Sequence, residues 1–392
     1  MKKIFIFLCL IACIANAKGQ QWIQLNSGTS NLLPAVYFTT PDTGYVGDEA
    51  GNIMKTSDGG AHWNIISTIP TEPFGISFIN SKIGLAAGGS IVKTSDGGLS
   101  WTIVFPDSNF IFNNVQMINK DTAIIFGFDD THNGIVYITI NGENTWTRII
   151  KLPIAAACNG FFTNSKNGVV TDGTIIYKTI NGGIIWTSFT TSWINSINSF
   201  YFNNNNGFAV GNEPGEILIT TNSGSNWSEI SESFSAPLFS IYFTSKDTGY
   251  AVGGDGFNSG TIIKTYDGGS TWSQATTTTQ TFYCVQFPDA NTGYTVGDNG
   301  TILKYTKASG IDENNYHSGI LNIYPNPTTD KITIEASQNS VVEISNSLGQ
   351  LIKTLVADEN KTNIDVSGFT KGIYILKVQN ADGVVMKKFV KK

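Results

Sequence analysis

Residues 56–63 read Thr-Ser-Asp-Gly-Gly-Ala-His-Trp, and this phrase returns five times. It recurs as TSDGGLSW ending at Trp101, TINGENTW at Trp146, TINGGIIW at Trp186, TTNSGSNW at Trp227 and TYDGGSTW at Trp272. Successive tryptophans are 38, 45, 40, 41 and 45 residues apart. A period near 40 residues marks a repeat architecture, in which each unit is one supersecondary element that buries its apolar face against its neighbours. Trp22 carries the same following text, WIQL beside WNII and WTIV, with no phrase before it.

Each unit holds four short apolar stretches. In the first they are Val36 to Phe38, Gly44 to Gly47, Asn52 to Thr56 and Trp63 to Ile66. The second stretch recurs at Gly84, Gly207, Gly249 and Gly293, with weaker copies at Ala123 and Gly168. Runs this short, β-branched and bounded by glycine are strands. Four strands per repeat of about 40 residues is the signature of a β-propeller blade. Seven units begin near residues 36, 76, 115, 160, 200, 241 and 282. The seventh lacks a Trp strand at its end, and Trp22 to Leu25 supplies one from the start of the chain. The chain is therefore predicted to be all-β, with a seven-bladed propeller over 21–306 closed by its N-terminal strand, which removes two free sheet edges.

The phrase has a mechanical reading. Asp58, Asp96, Asn141, Asn181, Asn222 and Asp267 sit where an Asx side chain bonds its own turn, and the following Gly accepts positive φ. Trp63, Trp101, Trp146, Trp186, Trp227 and Trp272 then pack at the outer strand. It resembles the Asp-box, or bacterial neuraminidase repeat. The full unit is most similar to the seven-bladed propellers of the photosystem II assembly and stability factor family. The box also occurs in sialidases, xyloglucan hydrolases and sortilin-type receptors, so the resemblance implies a fold and no particular function.

The first residues read as a secretory signal over 1–17: Lys2 and Lys3, an apolar core from Ile4 to Ile14, and Ala15-Asn16-Ala17 for cleavage. A rival reading takes Leu10 to Cys13 as a lipoprotein box with Cys13 lipidated. Cys158 and Cys284 lie in apolar runs of different repeats, and buried free thiols are preferred to a disulfide.

After a polar linker, 307–319, residues 320–392 carry about seven alternating strands, which suggests a small Ig-like β-sandwich. LNIYPNPTTDKITI, SLGQLIKTL, KGIYILKV and the ending MKKFVKK resemble the C-terminal sorting domain of substrates of the type IX (Por) secretion system of Bacteroidetes. That resemblance implies a partner in the type IX machinery, export across the outer membrane, and removal of this domain. Release or attachment to surface lipopolysaccharide would follow, and the exposed linker is the expected cleavage region.

Composition narrows the chemistry. A net charge of −6 argues against a nucleic-acid surface, which would need clustered Lys or Arg. A sialidase would bind its substrate carboxylate with three arginines, and Arg148 is the one arginine here. His62, His132 and His317 share no motif, so no metal and no cofactor is expected. Glycosidase chemistry needs two carboxylates across a cleft. The candidates are turn acids between second and third strands, Asp48, Glu49, Asp129, Asp130, Asp172, Glu213, Asp255 and Asp298, which are also ordinary turn residues. Trp193, outside the register, falls in a connection on the same face and could stack on a sugar or partner; Phe74, Phe110 and Phe112 fall in equivalent connections. The candidate ligand-binding set is thus Trp193, Asp48, Asp130, Asp172, Asp255 and Asp298, with no catalytic residue assigned. The leading expectation is a monomeric, secreted or surface-displayed, non-enzymatic propeller binding an extracellular protein or glycan. The alternative is an extracellular glycoside hydrolase or lyase using rim acids such as Asp130 and Asp255.

Overall fold

The computed structural model describes residues 21–105, 109–152, 158–190, 196–212, 216–231, 236–256, 259–307, 322–346, 350–380 and 383–392. The signal segment, Cys13, Trp193, Glu213 and most of the linker lie outside the described residues. Two compact units result, divided between Lys307 and Ala308.

Among the described residues, the first unit consists of seven four-stranded antiparallel sheets. Six are meanders of consecutive strands. The seventh takes Phe282–Asp289, Thr292–Gly297 and Ile302–Thr306 from the end of the unit and Gln21–Leu25 from its start, with Trp22 opposite Tyr305. The first strands touch in sequence order: Ala35–Phe38, Gly75–Phe78, Phe110–Met117, Asn159–Phe162, Ile197–Asn203, Leu238–Phe243 and Phe282–Asp289, which returns to Ala35–Phe38. The third repeat begins earlier than its text suggests, because Phe110 and Phe112 lie within its first strand, which bulges between Phe112 and Asn114. Phe112 is buried against Phe105, so it packs between repeats rather than facing a ligand.

No repeat has a core of its own. Buried residues form clusters that straddle neighbours, such as Ala35, Tyr45 and Ile53 with Ile76, Phe78 and Val92. The same holds where Tyr294, Val296 and Ile302 meet Val36, Phe38 and Val46 across the closure. Stability here is therefore a sum of neighbour interfaces, and the first-to-last interface is one of them.

One motif repeats inside each sheet. The last aromatic of the first strand lies flat over the glycine that opens the second, so that a Cβ on Gly44 would fall 2.4 Å from Phe38 and one on Gly249 2.7 Å from Phe243. The box tryptophan meets that ring edge-on: Trp63 on Phe38 at 5.9 Å and 90°, Trp101 on Phe78, Trp186 on Phe162, Trp227 on Phe202 and Trp272 on Phe243. Edge-to-face is the favoured aromatic geometry. Trp22 meets Phe287 at 6.0 Å and 82°, so it fills the seventh position. The third repeat departs jointly: Met117 replaces the Phe, Ala123 replaces the Gly, and Trp146 packs on Phe105 of the second repeat.

The residue before that last aromatic joins each repeat to the next. Tyr37 donates to the Phe78 carbonyl, Ser77 accepts from the Met117 amide, and Tyr201 donates to the Phe243 carbonyl. Gln116 and Gln286 each bind both main-chain groups of a phenylalanine, Phe162 and Phe38. Phe161 and Tyr242 use ring contacts, on Phe202 and Phe287. The Gln286 contact closes the ring.

The second unit has two antiparallel sheets. One holds Asn322–Tyr324, Lys331–Glu335 and Lys361–Asp365; the other holds Val341–Asn346, Leu351–Val356, Gly372–Asn380 and Gly383–Lys391. They share one core, which includes Ile332, Ile334, Val342, Ile344, Ile364, Leu376 and Phe389.

Candidate functional site

The boxes hold their own turns. In the first, Asp58 Oδ1 accepts from the Thr56 hydroxyl and the His62 amide, and the Gly60 amide donates to Thr56 Oγ1. The same three bonds recur around Asp96, Asn141, Asn181, Asn222 and Asp267. The turn needs two successive residues at positive φ, Gly59 at 69° and Gly60 at 86°, which is why the phrase carries paired glycines. Glu143 takes the second of those positions in the third box at φ 68°, buried and ion-paired with Lys93. Hydrogen bonds from His62 hold Asp58 down at about 2, and those from Ser100 hold Asp96 at about 2. Each box is also tied to the turn between first and second strands of its repeat, as when the Gly59 amide donates to the Asp42 carbonyl.

Lysines lock one repeat to the next box. Lys55 Nζ donates to the Gly97 carbonyl, Lys178 to the Asn222 carbonyl, and Lys304 to the Gly59 carbonyl across the closure. Lys264 precedes the one repeat without a box. It is buried and lies over the rings of Tyr250, Tyr266 and Tyr305 instead.

Antiparallel alternation puts the turns between second and third strands at the end of the sheets opposite the boxes. Asp48, expected as an open rim acid, is 1% exposed. Its carboxylate accepts from the Ala50 and Asn52 amides and from the side chains of Asn31 and Asn52, so the turn consumes it and it does not face a ligand. Asp172 is half-buried and accepts from the Thr174 and Ile175 amides and the Tyr177 hydroxyl; burial and that carboxylate push the Tyr177 phenol to about 12. Asp298 accepts from the Tyr283 hydroxyl and Asp255 from the Ser259 amide. Asp129 holds its turn through the Thr131 and Asn133 amides, while its neighbour Asp130 is exposed. Asp48, Asp172, Asp255 and Asp298 therefore sit in four different turns, each bonded within or beside its own repeat. Glu72, Glu49 and Asp48 do approach one another, and burial with those neighbours raises the Glu72 carboxyl. Among the described residues no group of three or more His, Cys, Asp and Glu is placed to hold a metal. Cys158 and Cys284 are free, and burial raises both thiols.

A cleft of about 850 Å³ opens on the box face, between the third, fourth and fifth repeats. Its walls carry Asn164, Asn167, Asn203, Asn204, Asn205 and Asn222. Sequence reasoning passed over it, although the run Asn203 to Asn206 was a compositional signal.

A closed ring of four-stranded sheets with box turns on one face defines a β-propeller. The WD40 propeller domain of Doa1 superposes with a TM-score of 0.60 at 11% identity, over 74% of this chain and 98% of that one. Residues 14–306 match the family described as photosynthesis system II assembly factor YCF48, and the chain belongs to that family. Residues 322–392 match the secretion system C-terminal sorting domain, so a sorting tail follows the propeller. The photosystem II assembly protein Ycf48 of Synechococcus sp. (strain JA-3-3Ab) is 27% identical over 322 residues, 77% of this chain and 93% of that protein. The photosystem II assembly lipoprotein Ycf48 of Nostoc sp. (strain PCC 7120 / SAG 25.82 / UTEX 2576) is 27% identical over 332 residues, covering 78% and 94%. A solved structure of YCF48 bound to D1 peptide matches with a TM-score of 0.59 at 21% identity, over 74% of this chain and 97% of that one.

Proposed function

We propose that this chain is a secreted or cell-surface, non-catalytic binding propeller of seven blades that recognises a protein or glycan partner. Residues 320–392, read as an Ig-like sandwich, direct its export through the type IX machinery. In this reading 1–17 is the signal peptide, 21–306 the propeller, and 307–319 the linker in which the tail is removed. The observation that carries it is the fate of the acids: Asp48, Asp172, Asp255 and Asp298 are each bonded to their own turn or its neighbour. Such bonds hold these four carboxylates to turn work, and Asp130 is left as the exposed acid for the variants below to test. A relative solved with a bound peptide supports a polypeptide partner over a glycan.

Assays on a polysaccharide panel test this against the hydrolase alternative, using the full chain and the Asp130→Asn and Asp255→Asn variants. No turnover above a heat-denatured control is expected. Turnover that is lost in either variant overturns the proposal.

A further inference from the structure

We propose that the asparagine-lined cleft on the box face is a docking site for an extended polypeptide segment, read through its main chain. This deepens the binding reading above and rests on it. The cleft volume, about 850 Å³, lies within the range of roughly 300–1,000 Å³ typical of ligand sites.

The chemistry of the walls selects the ligand. A carboxamide carries a donor and an acceptor side by side, the same pair that a peptide unit offers in reverse. The cleft already contains this recognition in working form: Gln116 Nε2 donates to the Phe162 carbonyl at 2.9 Å while its Oε1 accepts from the Phe162 amide at 2.8 Å. Gln286 does the same to Phe38 across the ring closure, so the fold itself uses carboxamides to hold extended backbone. Asn203 Oδ1 accepts from Asn204 Nδ2, and Asn205 Oδ1 accepts from the Ser223 hydroxyl. Among the described residues the Asn167 carboxamide, Asn203 Nδ2 and Asn205 Nδ2 have no protein partner.

Two further observations favour a peptide over a sugar. Among the described residues no Asp, Glu or His lines the cleft, and the one cation there, Lys178, is engaged with the Asn222 carbonyl and Ser225. Nor does a free ring face line it, since Phe162 and Phe202 are buried and Phe161 is packed on Tyr201 and Phe202. A sugar would lack both its stacking platform and its carboxylate partners. Apolar side chains of a peptide would find one instead: Ile180 lies at the cleft edge 68% exposed, and Ile184 and Ile185 of the same box are 81% and 65% exposed. The ligand class is an extended segment with neutral and apolar side chains.

The test uses the full chain, immobilised and panned against a displayed library of random dodecapeptides. Selected peptides are then labelled and titrated by fluorescence polarisation. Loss of two or three hydrogen bonds predicts that Asn167→Ala/Asn203→Ala/Asn205→Ala weakens binding roughly tenfold or more, with an unchanged thermal midpoint. N-methylation of central peptide amides is expected to weaken it similarly, a readout that a side-chain-only contact would not move. The single variants serve if the triple variant fails to fold. The inference is overturned if no peptide is selected, if affinity survives the triple variant or the N-methylation, or if xylo-, manno- or chito-oligosaccharides bind the cleft in place of peptides. Binding that survives the triple variant leaves the general binding reading standing; polysaccharide turnover, measured separately, is what removes that reading.

Discussion

Replacing Trp22 with Ala tests whether the chain's start closes its own ring. The Trp22 ring meets Tyr250 and Phe287 edge-on at 6.0 Å and Tyr305 at 5.5 Å. It joins a buried cluster that spans the sixth and seventh repeats. Truncating a buried Trp or Phe to Ala costs roughly 3–5 kcal/mol. Trp22 is half-buried and its indole N–H has no protein partner, which places it at the low end, about 3 kcal/mol. For a domain of this size that lowers the midpoint by roughly 5–10 °C. Near-UV circular dichroism during a thermal scan reads the shift. Hydrogen exchange adds a local readout, because Ile302–Thr306 pairs with Gln21–Leu25 on one side and its amides should lose protection there first. Ile23→Ala, on the same strand at an exposed position, is the control and should stay within about 0.5 kcal/mol. A Trp22→Ala midpoint within about 1 °C of the parent, with Ile302–Thr306 still protected, would refute the clasp.

Two further outcomes are expected. Gly249→Ala should cost about 1–3 kcal/mol because its new Cβ meets the Phe243 ring, and adding Phe243→Met should recover much of the loss, as Met117 over Ala123 shows; a double-mutant cycle in urea measures the coupling. Asp58→Asn with Asp96→Asn should leave stability near neutral pH little changed, since Asn141, Asn181 and Asn222 do the same work. Both carboxyls sit at about 2 in the folded chain against an ordinary 3.8, so their contribution is complete above roughly pH 4 and fades as pH falls toward 2; urea midpoints across that range should fall less steeply in the double variant.

Much of the fold was legible because one mechanical solution is repeated. Paired glycines announced positive φ, and the missing seventh box together with the orphan Trp22 announced the closure. The Phe-over-Gly pairing was also written in the text, yet it emerged as a rule only where it broke, at Met117 and Ala123. The first strands were less legible. Bulges at Phe112/Asn114, Ile197/Ser199, Leu238/Ser240 and Phe282/Cys284 shift side chains without any break in the apolar pattern. The rim acids are ambiguous for a physical reason. A carboxylate that stabilises a turn and one that awaits a ligand have the same local sequence, and one of the bonds that hold Asp48 comes from Asn31, seventeen residues away.

That ambiguity points to where function should be sought in a repeat protein. Positions fixed by the repeat are already spent on holding it: the box Asx on its turn, the Trp on its Phe, the Lys on the next box. Freedom lies in residues that no repeat rule requires. Ile180, Ile184 and Ile185 put three exposed isoleucines in one box, where each other box carries at most one large apolar side chain at these positions, Leu99, Ile140 or Tyr266. Asn203 to Asn205 exceed what a turn needs, since one Asx already suffices to hold it. Ile180 and Asn203 to Asn205 line one opening, on the face opposite the acids, and that coincidence favours the box face over the rim as the surface this propeller offers a partner.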